Sequence, residues 1–101
     1  MTVNQVLLAG VVASSVRTRT TPGGVSTARF VLEHRSEQQE LGMRRQAWCR
    51  IPVWLAGDEL VTQAKALETG AAVQITGFLT QHRRPGDLTV LVLHARTIEP
   101  H

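Results

Sequence analysis

The sequence predicts an all-β fold, a five-stranded Greek-key barrel with one short helix between the third and fourth strands. Three observations carry that reading. Val, Ile, Leu and Thr fill five runs. Turn residues separate the runs at Pro22-Gly23-Gly24, Gly57-Asp58, Gly70 and Pro85-Gly86-Asp87. A single stretch of helical periodicity interrupts them. With 101 residues, 43% hydrophobic and 19% charged, the chain has material for one core and not two, so residues 1–101 are expected to form one domain.

The first run, Asn4 to Arg19, is long for one straight strand, and Gly10 at its middle predicts a sharp bend. The second, Val25 to Arg35, alternates Ala28, Phe30 and Leu32 with Arg29, Val31 and Glu33, which gives one apolar and one half-charged face. From Ser36 to Gly42 the chain is polar and aperiodic, as a loop or a hairpin reaching into solvent would be. The third run, Met43 to Leu55, places Ala47, Cys49, Ile51 and Val53 on one face, and Arg44, Gln46, Trp48 and Arg50 on the other. A tryptophan on a polar face follows. Leu60, Val61, Ala64 and Leu67 then mark a helix from Asp58 to about Glu68, with Asp58 as its N-cap and Gly70 in the left-handed position beyond its end. The fourth run, Ala72 to Arg83, alternates Val73, Ile75, Gly77 and Leu79 with polar residues and Phe78. A basic turn, His82 to Asp87, leads into the fifth, Leu88 to Ile98. Three strands, a helix and two strands is the order of the OB-fold.

Catalysis is hard to place on this chain. No phosphate-binding glycine loop, dinucleotide fingerprint or nucleophile elbow occurs, and the eight carboxylates are scattered singly. His34, His82, His94 and His101 have no partner at ligand spacing. His34 and His94 read as sheet or core histidines, and Cys49 as a buried small hydrophobe. No enzyme, metal, cofactor or disulfide is expected. Apolar stretches are far shorter than the roughly 20 residues that span a bilayer, and no basic leader precedes Val6. A cytoplasmic location is the expectation.

Charge points to a binding role. Eleven basic residues outnumber eight acidic ones, and all but Lys65 are arginine, whose planar fork pairs with phosphate and stacks on bases. Trp48 between Arg44, Gln46 and Arg50 forms a platform of the kind that single-stranded nucleic acid uses. A tryptophan packed at a subunit interface has the same pattern. Arg35 and Arg45 flank the intervening loop and are expected to reach the same groove. Arg83 and Arg84 lie at the fourth-to-fifth turn, and Arg17 and Arg19 in the first-to-second connection, the two loops through which OB-folds usually meet ligands.

Val6-Leu7-Leu8-Ala9-Gly10, Trp48-Cys49-Arg50-Ile51-Pro52-Val53 and Val73-Gln74-Ile75-Thr76-Gly77 resemble the core pattern of bacterial single-stranded-DNA-binding proteins. Phe30-Val31-Leu32-Glu33-His34-Arg35-Ser36, Arg45-Gln46-Ala47-Trp48-Cys49 and Val92-Leu93-His94-Ala95 resemble more closely the family of primosomal replication protein N, PriB. That resemblance implies a homodimer of OB-folds that binds single-stranded DNA in the replication-restart primosome, stabilises the primosomal helicase PriA and helps recruit loading factors. It implies DNA contacts at Trp48, Arg35, Arg45, Arg19 and Arg83. The chain departs from the family at Met43, where the best-known members carry a stacking Phe, and at Pro85 and Val90, where they carry lysines; Arg84 replaces one of those charges. Met43 can cover a base without offering a π-face. The alternatives are a general single-stranded-DNA-binding protein, whose acidic tail is not expected here, and a protein-interaction adaptor with little DNA affinity of its own.

Overall fold

The computed structural model describes residues 2–86 and 88–101. Its strands are β1 (Val6–Val12), β2 (Arg17–Thr20), β3 (Ser26–Glu40), β4 (Met43–Ala56), β5 (Ala72–Arg84) and β6 (Leu88–Pro100). The helix α1 (Asp58–Lys65) lies between β4 and β5. β1 and β2 are the two halves of the expected first strand, so the five-run order and the place of the helix stand. Asp87, part of the expected basic turn, lies outside the described residues.

The break in the first run comes at Ala13 to Val16, past the glycine that suggested it. There the Ser14 hydroxyl accepts the Val31 amide at 2.9 Å, and the Ala13 amide donates to the Val31 carbonyl at 2.8 Å. A serine side chain thus replaces a strand partner while the chain turns. Gly10 serves a different need: a Cβ there would fall on the Glu33 carbonyl oxygen. It allows β1 to cross β3 at backbone contact.

That crossing closes the barrel. The sheet order is β1-β5-β6-β4-β3-β2, and β1 pairs with β5 through Val6↔Gly77 to Val11↔Ala72 and with β3 through Val11↔Glu33 and Val12↔Leu32. All pairings are antiparallel except β4 with β6, which meet in parallel at Val53↔Leu93 and Trp54↔His94. The inward residues follow the expected alternation: Phe30 and Leu32 face Val53 and Ile51 across β3 and β4, and Val73 and Ile75 line β5. Val61 and Ala64 of α1 complete the cluster, with Leu60 and Leu67 packed at its margin.

Four local expectations are corrected. The Asp58 side chain makes no capping hydrogen bond; the N-cap is Gly57 at φ 103°, a conformation that favours glycine, and Asp58 and Glu59 instead place negative charge in the first turn. The helix ends at Lys65. Gly70 is left-handed at φ 94°, but its amide donates to the Val12 carbonyl at 2.7 Å, tying the following segment to β1 instead of closing the helix. Cys49 is exposed. It does lie on the inward side of β4, yet the strand pairing of β1 with β3 stops at Glu33, and at the level of Cys49 β1 meets the ribbon through the His34 side chain alone among the described hydrogen bonds.

Gly10→Ala is therefore expected to cost about 1–3 kcal/mol through overpacking against backbone, read as a lower urea midpoint at unchanged slope. An unaltered midpoint would show that β1 and β3 do not meet there.

Candidate nucleic-acid interface

β3 and β4 form one continuous ribbon, in register from Thr27↔Ala56 to Glu40↔Met43. Leu41 and Gly42 turn the chain with φ of 51° and 75°, the positive pair that suits a two-residue hairpin. The register decides which side chains meet. Arg35 lies opposite Trp48, and Glu33 opposite Arg50, so these four share one face with Glu37, Arg44 and Gln46.

Trp48 is 55% exposed on that face, a large ring with no core to join. The Arg35 guanidinium stands 5.7 Å from its centroid, within cation–π range. Glu33 holds the arginines in place: one carboxylate oxygen accepts Arg35 Nε at 3.1 Å and the other accepts Arg50 Nε at 2.8 Å. Both bonds hold the Glu33 carboxyl below its ordinary value, that from Arg50 most and that from Arg35 next. Arg44 pairs with Glu37 at 3.5 Å. A flat aromatic surface bordered by guanidinium groups results, which can stack a base and hold its phosphates.

The other predicted residues are distributed differently. Arg45 and Met43 lie on the opposite side of the ribbon, where Arg45 pairs with Glu40 at 3.3 Å. Arg45 and Arg35 therefore do not reach one groove from a single face. Arg83 and Arg84 end β5 opposite Thr89 and Leu88, and successive residues there point to opposite sides. Arg19, opposite Thr27, stands on the same outer side of the sheet as Arg29, away from the hairpin tip.

A second aromatic group was not anticipated. The Arg29 guanidinium lies 3.8 Å from the Trp54 centroid, with the His82 ring edge-on at 4.6 Å. His94 stacks on Phe78 at 4.9 Å and 4° and shares a 2.8 Å hydrogen bond with Thr80. The sequence does hold the signal: Trp54 has the parity of Trp48 and Arg50. His34 is the half-buried sheet histidine expected, with Nδ1 2.6 Å from the Ala9 carbonyl and Nε2 2.7 Å from the Ser36 hydroxyl.

A closed barrel of this order, with arginines around an exposed tryptophan on its outer face, defines an OB-fold of the single-strand-binding class. The model of a family described as another single-strand binding protein family matches residues 4–97. Within that class, the chain belongs to the family of the replication restart protein PriB, whose members are DNA-binding proteins and not enzymes. It is 39% identical to that protein of Proteus mirabilis and 41% identical to that of Photorhabdus laumondii, each over 98% of this chain and 94% of the relative. The solved structure of priB from Ralstonia solanacearum, 24% identical, superposes with a TM-score of 0.83 over 99% of both chains and shows the shared fold. Among the described residues, no helix is long and apolar enough to cross a membrane.

A carboxyl whose folded pKa lies below its unfolded value adds stability that is present above the unfolded value and is lost as pH falls through the folded one. Acidification below the ordinary 4.5 of Glu33 should therefore shrink the difference in urea midpoint between the wild type and Glu33→Gln. A difference that stays constant with pH would mean that Glu33 does not bridge the two arginines.

Proposed function

We propose that this chain is a single-stranded-DNA-binding accessory protein of the replication-restart primosome, stabilising the primosomal helicase PriA on DNA and helping to recruit further loading factors. The observation that carries the reading is the outer face of the ribbon, where Arg35, Arg44 and Arg50 surround the exposed Trp48. Bases stack on Trp48 while the guanidinium groups hold the flanking phosphates. Glu33 positions Arg35 and Arg50 from below. Arg19, Arg45, Arg83, Arg84 and Met43 extend the contact beyond that face. The protein works in the cytoplasm, as a single OB-fold module in each protomer.

Homodimerisation is part of the proposal. It is supported by the edge of β1: among the described residues, Val6 to Leu8 pair with β5 alone, and Leu7 is exposed. Two copies offer one DNA strand two faces, so the second contact becomes intramolecular and strengthens a modest single-site affinity.

One observation favours a second reading. Arg35, Arg44, Arg45 and Arg50 are each already paired with Glu33, Glu37 or Glu40, which suits an adaptor that reaches DNA through its partners. Anisotropy titration of a dye-labelled oligo-dT of about 15 nucleotides at several salt concentrations separates the two. The DNA-binding reading expects affinity that falls with salt by about 0.7 logarithmic units per phosphate neutralised. It also expects a loss of about 1–3 kcal/mol in Trp48→Ala with unchanged thermal stability. Absence of binding at low salt leaves the adaptor.

A further inference from the structure

The part of the sheet that carries β1, β5 and β6 offers a surface separate from the arginine ribbon. It begins with an irregularity in β6. Thr76 pairs with Thr97 but Gly77 pairs with Ala95, so Arg96 is one residue more than β5 can match. Ala95 and Ile98 are buried in the core, which leaves Arg96 and Thr97 both turned outward and exposed; a bulge of this kind re-aims a side chain. Gly77 permits it, since a Cβ there would fall on the His94 carbonyl oxygen. The Thr97 hydroxyl is hydrogen-bonded to that of Thr76. Arg96 has no such anchor: among the described residues no ion pair involves it, and its guanidinium stands 5.1 Å from the Phe78 centroid.

Two clefts, of about 350 and 430 Å³, meet at Gln5 and Arg96. Val3 and Phe78 border the first, Leu7 and Gly77 the second, and neither is lined by a carboxylate. Together they form one groove with an apolar floor and a guanidinium at its side, in which Val3 is 83% and Leu7 64% exposed. Its wall is the segment before β1, and Asn4 holds that wall in place. The Asn4 side chain accepts the Leu79 amide at 3.0 Å and donates to the Leu79 carbonyl at 2.9 Å, so it stands in for a strand partner where β1 has ended. A third cleft of about 560 Å³ also reaches Arg96 and holds Asp58, Glu59 and Glu99. The groove is therefore polar in a defined sense: acidic beyond Arg96, cationic at it, and apolar toward Leu7 and Val3.

We propose that this groove docks an extended peptide segment of a partner protein, one that sets a carboxylate on Arg96 and apolar side chains over Leu7 and Val3. Charge complementarity selects that occupant, because the arginine fork pairs with a carboxylate in a fixed geometry and the rest of the groove is neutral. Nucleic acid fits less well. The Phe78 ring is already covered by His94, stacked at 4.9 Å and 4°, and approached by Arg96, so it offers no free platform for a base. One cation beside an acidic cleft also cannot follow a chain of phosphates. The groove opens on the face of the sheet, whereas a second copy added at the β1 edge would lie in its plane, so the two contacts are compatible. The inference does not depend on the DNA reading, since Trp48 and its arginines stand on other strands.

The test is an NMR titration of the isotopically labelled protein with an acetylated and amidated peptide whose core is Asp-Leu-Phe-Asp. The amides of Gln5, Leu7, Phe78 and Arg96 are expected to shift while the Trp48 indole stays in place. Exchanging both aspartates of the peptide for asparagine, or Arg96→Gln in the protein, should each weaken binding at least about tenfold. Asn4→Ala, which frees the wall, should weaken it by a smaller factor. Because Arg96 is exposed and makes no ion pair, Arg96→Gln should keep wild-type thermal stability and wild-type affinity for oligo-dT. Absence of shifts in the groove, or equal affinity for the asparagine peptide, would overturn the proposal. Loss of oligo-dT affinity in Arg96→Gln would give this arginine to nucleic acid, and groove shifts on concentrating the protein alone would give the face to a second copy; either result overturns it as well. If the wild type fails to bind oligo-dT, the DNA reading falls and the peptide titration still decides this one.

Discussion

The double pairing of β1 is the constraint on which the rest of this molecule depends. One short strand has to satisfy β5 along its length and β3 at its end, and it does so where Gly10 leaves no Cβ between two backbones. His34 adds a polar fastening at the same crossing, reaching from β3 to the Ala9 carbonyl. Without closure, the inward faces of β3 and β5 would end at open edges, and the core around Leu32 and Ile75, both fully buried, would be wet. Closure also fixes how much of the β3–β4 ribbon belongs to the barrel. Beyond Glu33, β1 no longer pairs with the ribbon, and past the His34 fastening the ribbon becomes a two-stranded arm. The exposed Cys49 is a consequence of that geometric limit, whereas Trp48 is exposed because it stands on the outer face of the ribbon.

Register then converts closure into a site. A strand pair shifted by one residue would turn every side chain to the other face, and Phe30 and Leu32 against Val53 and Ile51 make that shift costly. The buried half of the ribbon thus sets the alignment of its solvated half, placing Arg35 across from Trp48 and Glu33 across from Arg50. No contact on the arm needs to be strong for the arrangement to hold. The core fixes the alignment, and the ion pairs of Glu33 set the orientation.

Much of this is legible in the sequence, because alternation reports which residues share a face. The five runs, the helix at Val61 and Ala64, and the Arg44-Gln46-Trp48-Arg50 face all follow from period and parity. What escapes has a common cause. Alternation does not say whether a neighbour covers the apolar side, so Cys49 reads as buried when it is not. It does not say where a long strand turns: Gly10 is the visible irregularity, while the turn itself is made by Ser14, a residue that takes over a backbone hydrogen bond only once β3 is beside it. Nearness to the loop points Arg45 toward the groove, although its parity sets it on the other face. Trp54 is inconspicuous because it stands among Ile51, Val53 and Leu55, and its company with Arg29, His94 and Phe78 arises only from pairings across three other strands.

The distribution of charge separates two kinds of surface within one basic protein. On the arm, four arginines meet three glutamates, so a bound phosphate exchanges one exposed ion pair for another, and exposed pairs are worth little either way. What the arm supplies is geometry: guanidinium groups already oriented beside a ring. On the barrel wall, Arg19 and Arg29 have no carboxylate in the cleft they border, and Arg17 stands opposite Arg29, so like charges repel across β2 and β3. Under the proposed function, oriented guanidinium groups and a ring on the arm would order a strand, while the uncompensated charge on the wall would attract it. The modest net charge of +3 therefore understates what a polyanion would meet locally, because most of the neutralising carboxylates near arginines are spent on the arm.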